Sequence, residues 1–213
     1  MSQNKKRKTP VFITGIGTEV GKTVASAIVT EALEADYFKP IQAGDLAHSD
    51  TDKVKSMITN SKSVFHKNSY ALQTPMSPHA AAKIDGVEIR LKDIKLPNTK
   101  NHLVIEGAGG LLVPINNSET ILDIIPNEAL VIVVSRHYLG SINHSLMTLQ
   151  ILKDKGFRPV ILFNGNEHPT TESIIAEMSE CEILGRIDNE PYFDQNVIKE
   201  YADLFKEKLK KLL

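Results

Sequence analysis

The chain has 213 residues, 41% of them hydrophobic, and its 25 lysines and arginines against 26 aspartates and glutamates leave a net charge of −1. That is enough apolar material for the core of one α/β domain spanning 1–213, and too little positive charge to argue for a nucleic-acid partner. No apolar run approaches the ~20 residues of a membrane helix, the N-terminus lacks the apolar core of a signal peptide, and the single Cys181 has neither a disulfide partner nor metal-ligand neighbours; a soluble cytoplasmic protein touching neither nucleic acid nor membrane is expected.

The one basic cluster, Lys5 to Lys8, reads as part of a flexible leader over residues 1–9. Val11 to Ile13 then reads as a buried strand, followed by a glycine-bearing loop from Gly15 to Gly21. Lys22 and Thr23 open a segment of helical composition that runs to Leu33. Strand, glycine loop and Gly-Lys-Thr into a helix is the context of a phosphate-binding loop. The first turn of a helix carries N–H groups without intrahelical partners, and its dipole favours an anion. Lys22 then reaches the β/γ-phosphates and the Thr23 hydroxyl binds Mg²⁺. The common pattern places its first glycine at position 16, which is Ile16 here. Here the glycines are Gly15 and Gly17, around a loop of slightly different length, and the loop's glycines are expected to let the backbone curl.

Tyr37 to Ile41 predicts a second strand carrying Lys39, with Gln42 to Gly44 as a turn. A βαβ unit brings the end of that strand back toward the phosphate loop. Taken alone, Lys39 reads as a surface lysine on an edge strand. Ser49 is placed to cap a short helix from Asp52 to Met57, with acids suiting its start; a carboxylate there could also face a phosphate-bound Mg²⁺. Ser77, with Pro78 behind it, predicts a capped helix through Lys83, and His79 reads as a helix-start residue rather than a base. Residues 85–101 have no clear period and predict a loop with one short helix.

His102 to Ile105 is a buried strand ending in Glu106, at the rim where α/β sheets bind ligands. Gly107 to Gly110 supplies backbone donors around that carboxylate. Ala129 to Val134 is another parallel-type strand. A helix through about Lys155 follows, with Ser141 or Asn143 as its cap. Arg158 to Phe163 predicts a further strand ending at the amide of Asn164. Thr170–Ser179 reads as a helix and Ile183–Ile187 as the last strand. In the tail from Asn196 to Leu213, Val197, Tyr201, Phe205, Leu209 and Leu212 recur at helical spacing and predict core packing. The alternation predicts one doubly wound, mostly parallel sheet flanked by helices, of the phosphate-loop NTPase type.

Thr14 to Thr23, Lys39-Pro-Ile-Gln-Ala-Gly44, Ser49-Asp50, Ser77-Pro-His79, Glu106 to Gly110, Gly140 to His144 and Asn164 form a series that resembles dethiobiotin synthetase over about residues 10–165. The resemblance implies carboxylation of 7,8-diaminononanoate with CO₂, activation by ATP and closure of a cyclic urea. It implies Lys39 and Lys22 as catalytic lysines, and Thr23, Asp50 and Glu106 as Mg²⁺ ligands. Thr18, Glu19, Val20, Gly21, Lys22, Thr23, Asp50, Glu106, Gly107, Ala108 and Gly109 would surround ATP, with Asn164 on the adenine edge. The site of this family lies near a homodimer interface, so Ser141 and Asn143 of the second copy would hold the substrate carboxylate, and Ala43 would lie beside the substrate. The sequence departs from the family where Ala43 replaces a common Ser or Thr, where Asp188 replaces a proline after the last strand, and where residues 35–39 and 85–101 are trimmed. Two other readings share these motifs: a nucleotide-binding regulatory module of the same family that does no chemistry, and a partitioning-type ATPase that binds DNA or membrane. Lys39, Asp50 and Glu106 together argue against the first, and the neutral charge against the second.

Overall fold

The computed structural model describes residues 8–213. Of the leader expected over residues 1–9, only Lys8 and Thr9 are described, and the Thr9 carbonyl lies 3.2 Å from His102 Nδ1; the rest, including Lys5 to Arg7, lies outside the described residues.

A seven-stranded sheet carries the architecture. Its strands are β1 (Val11–Gly15), β2 (Asp36–Phe38), β4 (Phe65–His66), β6 (Leu103–Glu106), β7 (Leu130–Arg136), β8 (Val160–Asn164) and β9 (Glu182–Ile187), in the order β4-β2-β6-β1-β7-β8-β9. Every pairing among them is parallel. Parallel strands are covered on both faces and therefore read as continuous apolar runs, which made β1, β6 and β7 visible in the sequence. β1 lies at the centre, where the strand order turns back on itself. Ligands bind outside the carboxyl ends of strands at such a point.

The helices α1 (Lys22–Leu33), α2 (Asp50–Met57), α3 (Pro78–Asp85), α4 (Ser141–Asp154), α5 (Pro169–Ser179) and α6 (Gln195–Leu212) flank the sheet. One apolar layer joins α1, α6 and the residues Val11, Ile13, Val104 and Ile132 of the strands; the other joins Phe12, Ile105, Val131 and Val133 to residues of α3, α4 and α5. In the tail helix Ile198, Phe205 and Leu209 are buried, each contributing about 1.5–3 kcal/mol. Of the expected stripe, Tyr201 and Leu212 are partly buried against the same layer, and Val197 is half-buried, with its neighbour Ile198 in the core instead. Among the described residues no helix is long and apolar enough to cross a membrane.

Four local expectations are corrected. The second strand stops at Phe38, and Ile41–Ala43, expected in part to be a turn, is a separate strand, β3, pairing in parallel with β5 (Tyr70–Leu72). Pro40 lacks an N–H for the ladder, which explains the break. β6 lies between β1 and β2, so β1-α1-β2 skips one position in the sheet. Helix α2 starts at Asp50, two residues early, because Ser49 and Asp52 form a reciprocal capping box. Ser77, Ser141 and Asn143 do not cap by side chain: α4 has Gly140 in the left-handed region at its N-cap, and the Ser77 hydroxyl turns to His79 Nδ1 at 3.2 Å.

Candidate active site

The loop after β1 curls differently from its glycine pattern. The left-handed positions are Glu19 and Gly21, at φ 58° and 97°, whereas Gly15 and Gly17 lie outside that region. Gly15 is needed for close approach instead, since a Cβ there would stand 2.4 Å from Val20 Cγ2. At Gly21 a Cβ would be strained and would also meet Asn164 Nδ2 at 2.3 Å. Gly21 is the N-cap of α1 and no side chain caps the helix. The first turn, whose residues Lys22 and Thr23 line the cavity beside it, is therefore left without a capping side chain, as an anion site requires.

That cavity holds about 770 Å³ and is lined by Thr18, Glu19, Gly21, Lys22, Thr23, Lys39, Ala43, Asp50, Glu106, Ala108 and Gly109, among others. These eleven positions singled out in the sequence, from four separate segments, thus meet in one space. Val20 is buried behind the loop. Gly107 is not a free donor: its N–H bonds the Ile13 carbonyl at 2.9 Å, and its own carbonyl accepts from Lys39 at 3.0 Å.

The floor of the cavity is a charge cluster centred on Lys39. The lysine, only 4% exposed, is no edge-strand surface residue. Its Nζ lies 2.7 Å from Asp50 Oδ2 and 2.9 Å from Glu106 Oε1. The alternation along β6 turns Glu106 to the same face as Val104, toward α1, where Thr23 Oγ1 donates to Oε1 at 3.1 Å. Burial works against charge on Lys39, yet the two carboxylates outweigh it and hold its pKa above the usual lysine value. Burial likewise opposes ionisation of Asp50, and Lys39, with Lys53 and Lys22 further off, keeps that carboxyl below its usual range. Lys22 is different. Burial first, then repulsion from Lys39, lower it to about 8 despite Glu106 and Asp50. Its Nζ donates to the Gly17 carbonyl at 2.8 Å, folded back over its own loop.

Two contributors were given no part in the site by the sequence. Gln42 donates to the Gly44 carbonyl and accepts from the Asp50 N–H at 3.2 Å, tying the start of α2 to β3. Tyr37 donates to Glu106 Oε2 at 2.9 Å from within the core. Its signal was a polar atom on an otherwise apolar strand, where burial demands a partner.

Three candidate residues lie apart from the cavity. The Asn164 amide donates to the Val20 carbonyl at 2.8 Å, bracing the back of the loop. Ser141, buried, and Asn143, exposed, line a second cavity of about 810 Å³ with His137, Tyr138 and Leu139. Thr23, Asp50 and Glu106 do converge, offering one hydroxyl and two carboxylates. That is not an all-protein cage; such a partial oxygen set could hold a divalent cation only together with other ligands, such as phosphates.

A family model described as an AAA domain matches residues 9–197. The chain is 61% identical over 199 residues to the ATP-dependent dethiobiotin synthetase BioD of Christiangramia forsetii, covering 93% of this chain and 96% of that protein. It is 45% identical over 194 residues to the protein of the same name from Cytophaga hutchinsonii, covering 90% and 94%. Among solved structures, a plasmid partition protein from Borrelia burgdorferi bound to AMPPNP superimposes with a TM-score of 0.59 at 16% identity, covering 96% of this chain and 100% of that one. The MinC:MinD complex of Aquifex aeolicus gives 0.54 at 12%, covering 96% of each chain. At such identities the partition and division proteins share the fold alone. The relatives that also share the sequence, over nine-tenths of this chain in the two named, are the synthetases, and this chain belongs to the ATP-dependent dethiobiotin synthetase family.

Proposed function

We propose that this chain is an ATP-dependent dethiobiotin synthetase, a ligase of biotin biosynthesis that closes a cyclic urea. One amine of 7,8-diaminononanoate adds to CO₂ and loses a proton, giving a carbamate. A carbamate oxygen attacks the γ-phosphorus of ATP, the bond to the β-phosphate oxygen breaks and ADP leaves. The second amine attacks the carbonyl carbon of the resulting mixed anhydride. Phosphate departs, the amine loses its proton and the ring closes.

The chemistry brings an anionic carbamate against an anionic phosphate, so it needs fixed positive charge where the two meet. Lys39 supplies it, held charged and buried at the cavity floor by Glu106 and Asp50. That arrangement is the observation on which the reading rests, because a domain that only binds nucleotide has no use for a buried cation outside its phosphate loop. Lys22 leaves the Gly17 carbonyl for the β/γ-phosphates, and the uncapped turn of α1 with the backbone from Thr18 to Thr23 cradles them. Thr23, Asp50 and Glu106 would hold Mg²⁺, which would neutralise phosphate charge when bound. Ala108 and Gly109 close the wall opposite. Asn164 serves the adenine end, and Ala43 gives the diamine an apolar contact.

A homodimer completes the site. Leu139, Ile142, Met147 and Met178 are large apolar side chains left exposed on and around α4 and α5, which supports burial against a second copy. The Ser141–Asn143 helix start of that copy would take the substrate carboxylate. Use of ATP and CO₂ supports a cytoplasmic setting.

The test is ADP release with and without diaminononanoate and bicarbonate. Release that requires both, with dethiobiotin formed in equal amount, is expected. Turnover independent of the diamine, or stimulated by DNA, would overturn the reading.

A further inference from the structure

The two carboxylate oxygens of Glu106 have separate hydrogen-bond partners. Oε1 takes Thr23 and Lys39, while Oε2 takes the phenol of Tyr37 at 2.9 Å. Tyr37 and Glu106 are both essentially inaccessible, at 0% and 1% exposure. The geometry has a simple origin. Tyr37 pairs with Val104 across β2 and β6, so its side chain shares the face of Val104 and Glu106. A tyrosine is long enough to reach Glu106, two residues further along the neighbouring strand. Phe65 of β4 holds the ring from the other side, at 5.9 Å between centroids.

We propose that Tyr37 is a positioning residue: its hydroxyl fixes the rotation of the Glu106 carboxylate so that Oε1 is presented to the cation and nucleotide. A carboxylate with one oxygen free can swing about its terminal bond, which is broad and nearly two-fold. Lys39 cannot do this job, because it grips the very oxygen that must face the ligand. Tyr37 grips the other. Partners of this kind behind a metal-binding carboxylate set its orientation, and losing one weakens metal affinity by about 10–100-fold. The inference rests on Glu106 being a Mg²⁺ ligand, as proposed above, and the test separates the two.

The measurement is calorimetric binding of AMPPNP to the full chain with and without Mn²⁺. The ratio of the two dissociation constants is the metal enhancement, and losses common to both cancel. In Y37F the enhancement is expected to fall about tenfold, and in E106Q by at least as much. The double variant should be no worse than E106Q, since the tyrosine acts through the carboxylate. Phe65→Leu reports what loosened packing alone does: a lower melting temperature with the enhancement intact. If E106Q loses enhancement and Y37F does not, Tyr37 has no positioning role and the metal reading survives. If neither loses it, both fall. If Y37F loses it and E106Q does not, or if Phe65→Leu loses it equally, the hydroxyl is not acting through Glu106.

Discussion

The carboxyl rim of the sheet has two halves, and both carry ion pairs. On the β2–β6 side Lys39 and Glu106 are at most 5% exposed and Asp50 is 21% exposed. On the β8–β9 side Arg186, 25% exposed, bridges to Glu172 at 15%, Asp188 at 52% and Glu167 at 65%. The bridges look alike on distance alone, at 2.7–2.9 Å for Lys39 and 2.8 Å for Arg186 with Asp188. Solvent separates them. A desolvated pair is costly to assemble and costlier to break, because the survivor is left as an unpaired buried charge. A solvated pair is worth about 0–1 kcal/mol. The buried cluster on the β2–β6 side is the one the proposed chemistry uses.

Replacing Lys39 tests that difference hardest. K39A removes the cation proposed to face the transferred phosphoryl group while the phosphate loop and Lys22 remain. Turnover to dethiobiotin is expected to fall about a hundred- to a thousandfold, the scale of losing one preorganised charge-stabilising group. AMPPNP affinity, measured on the same preparation, should fall far less. Comparable losses in both would make Lys39 a general binding residue, and turnover within a few-fold of the wild type would remove it from the mechanism.

Lys22 gives a pH effect of intermediate size. Its value in the folded, ligand-free chain is lowered to about 8 from 10.5. The ammonium is therefore intact below pH 8 and is lost as pH rises through that value, while the unfolded chain keeps it to about 10.5. In the proposed site the ammonium is the form that meets the triphosphate. Affinity for metal-free AMPPNP should be steady just below pH 8 and decline above it, by up to about tenfold per unit. K22R, whose guanidinium does not titrate in this range, should bind with no such decline. A wild-type profile parallel to that of K22R between pH 7.5 and 9.5 would show that Lys22 is not the titrating group.

These contrasts bear on what the sequence could show. The phosphate loop was legible because a buried strand, Gly21 and the Lys22–Thr23 start of α1 are all local features. Glu106 was legible because a carboxylate ending an apolar run is conspicuous. Lys39 was misread when taken alone, since burial of a lysine depends on partners 11 and 67 positions away that only the fold brings in. Tyr37 was missed for the same reason: on a strand its ring reads as core, and only the register of β2 on β6 reveals where the hydroxyl ends. The curl at Glu19 rather than Gly17 had no sequence signal, because a non-glycine left-handed residue is fixed by its surroundings. The short β4 and β5 were invisible, being two and three residues long without periodicity.

The smallest predicted effect comes from the solvated half. Arg186→Ala removes a guanidinium that donates to both Glu172 oxygens, at 3.2 and 3.1 Å, and to Asp188 at 2.8 Å. Glu172 keeps His137 Nε2 at 3.0 Å as a partner, so no isolated buried charge results. The expected loss is about 1 kcal/mol or less, a melting temperature lower by about 2–4 °C for a chain of this length. Added salt should shrink the gap between variant and wild type, since partly exposed pairs are screened. Turnover should be unchanged, because the guanidinium lies outside the cavity that holds Lys39. If Arg186→Ala instead lost activity as K39A is expected to, the two halves of the rim would be working as one site, and exposure would be the wrong criterion for dividing them.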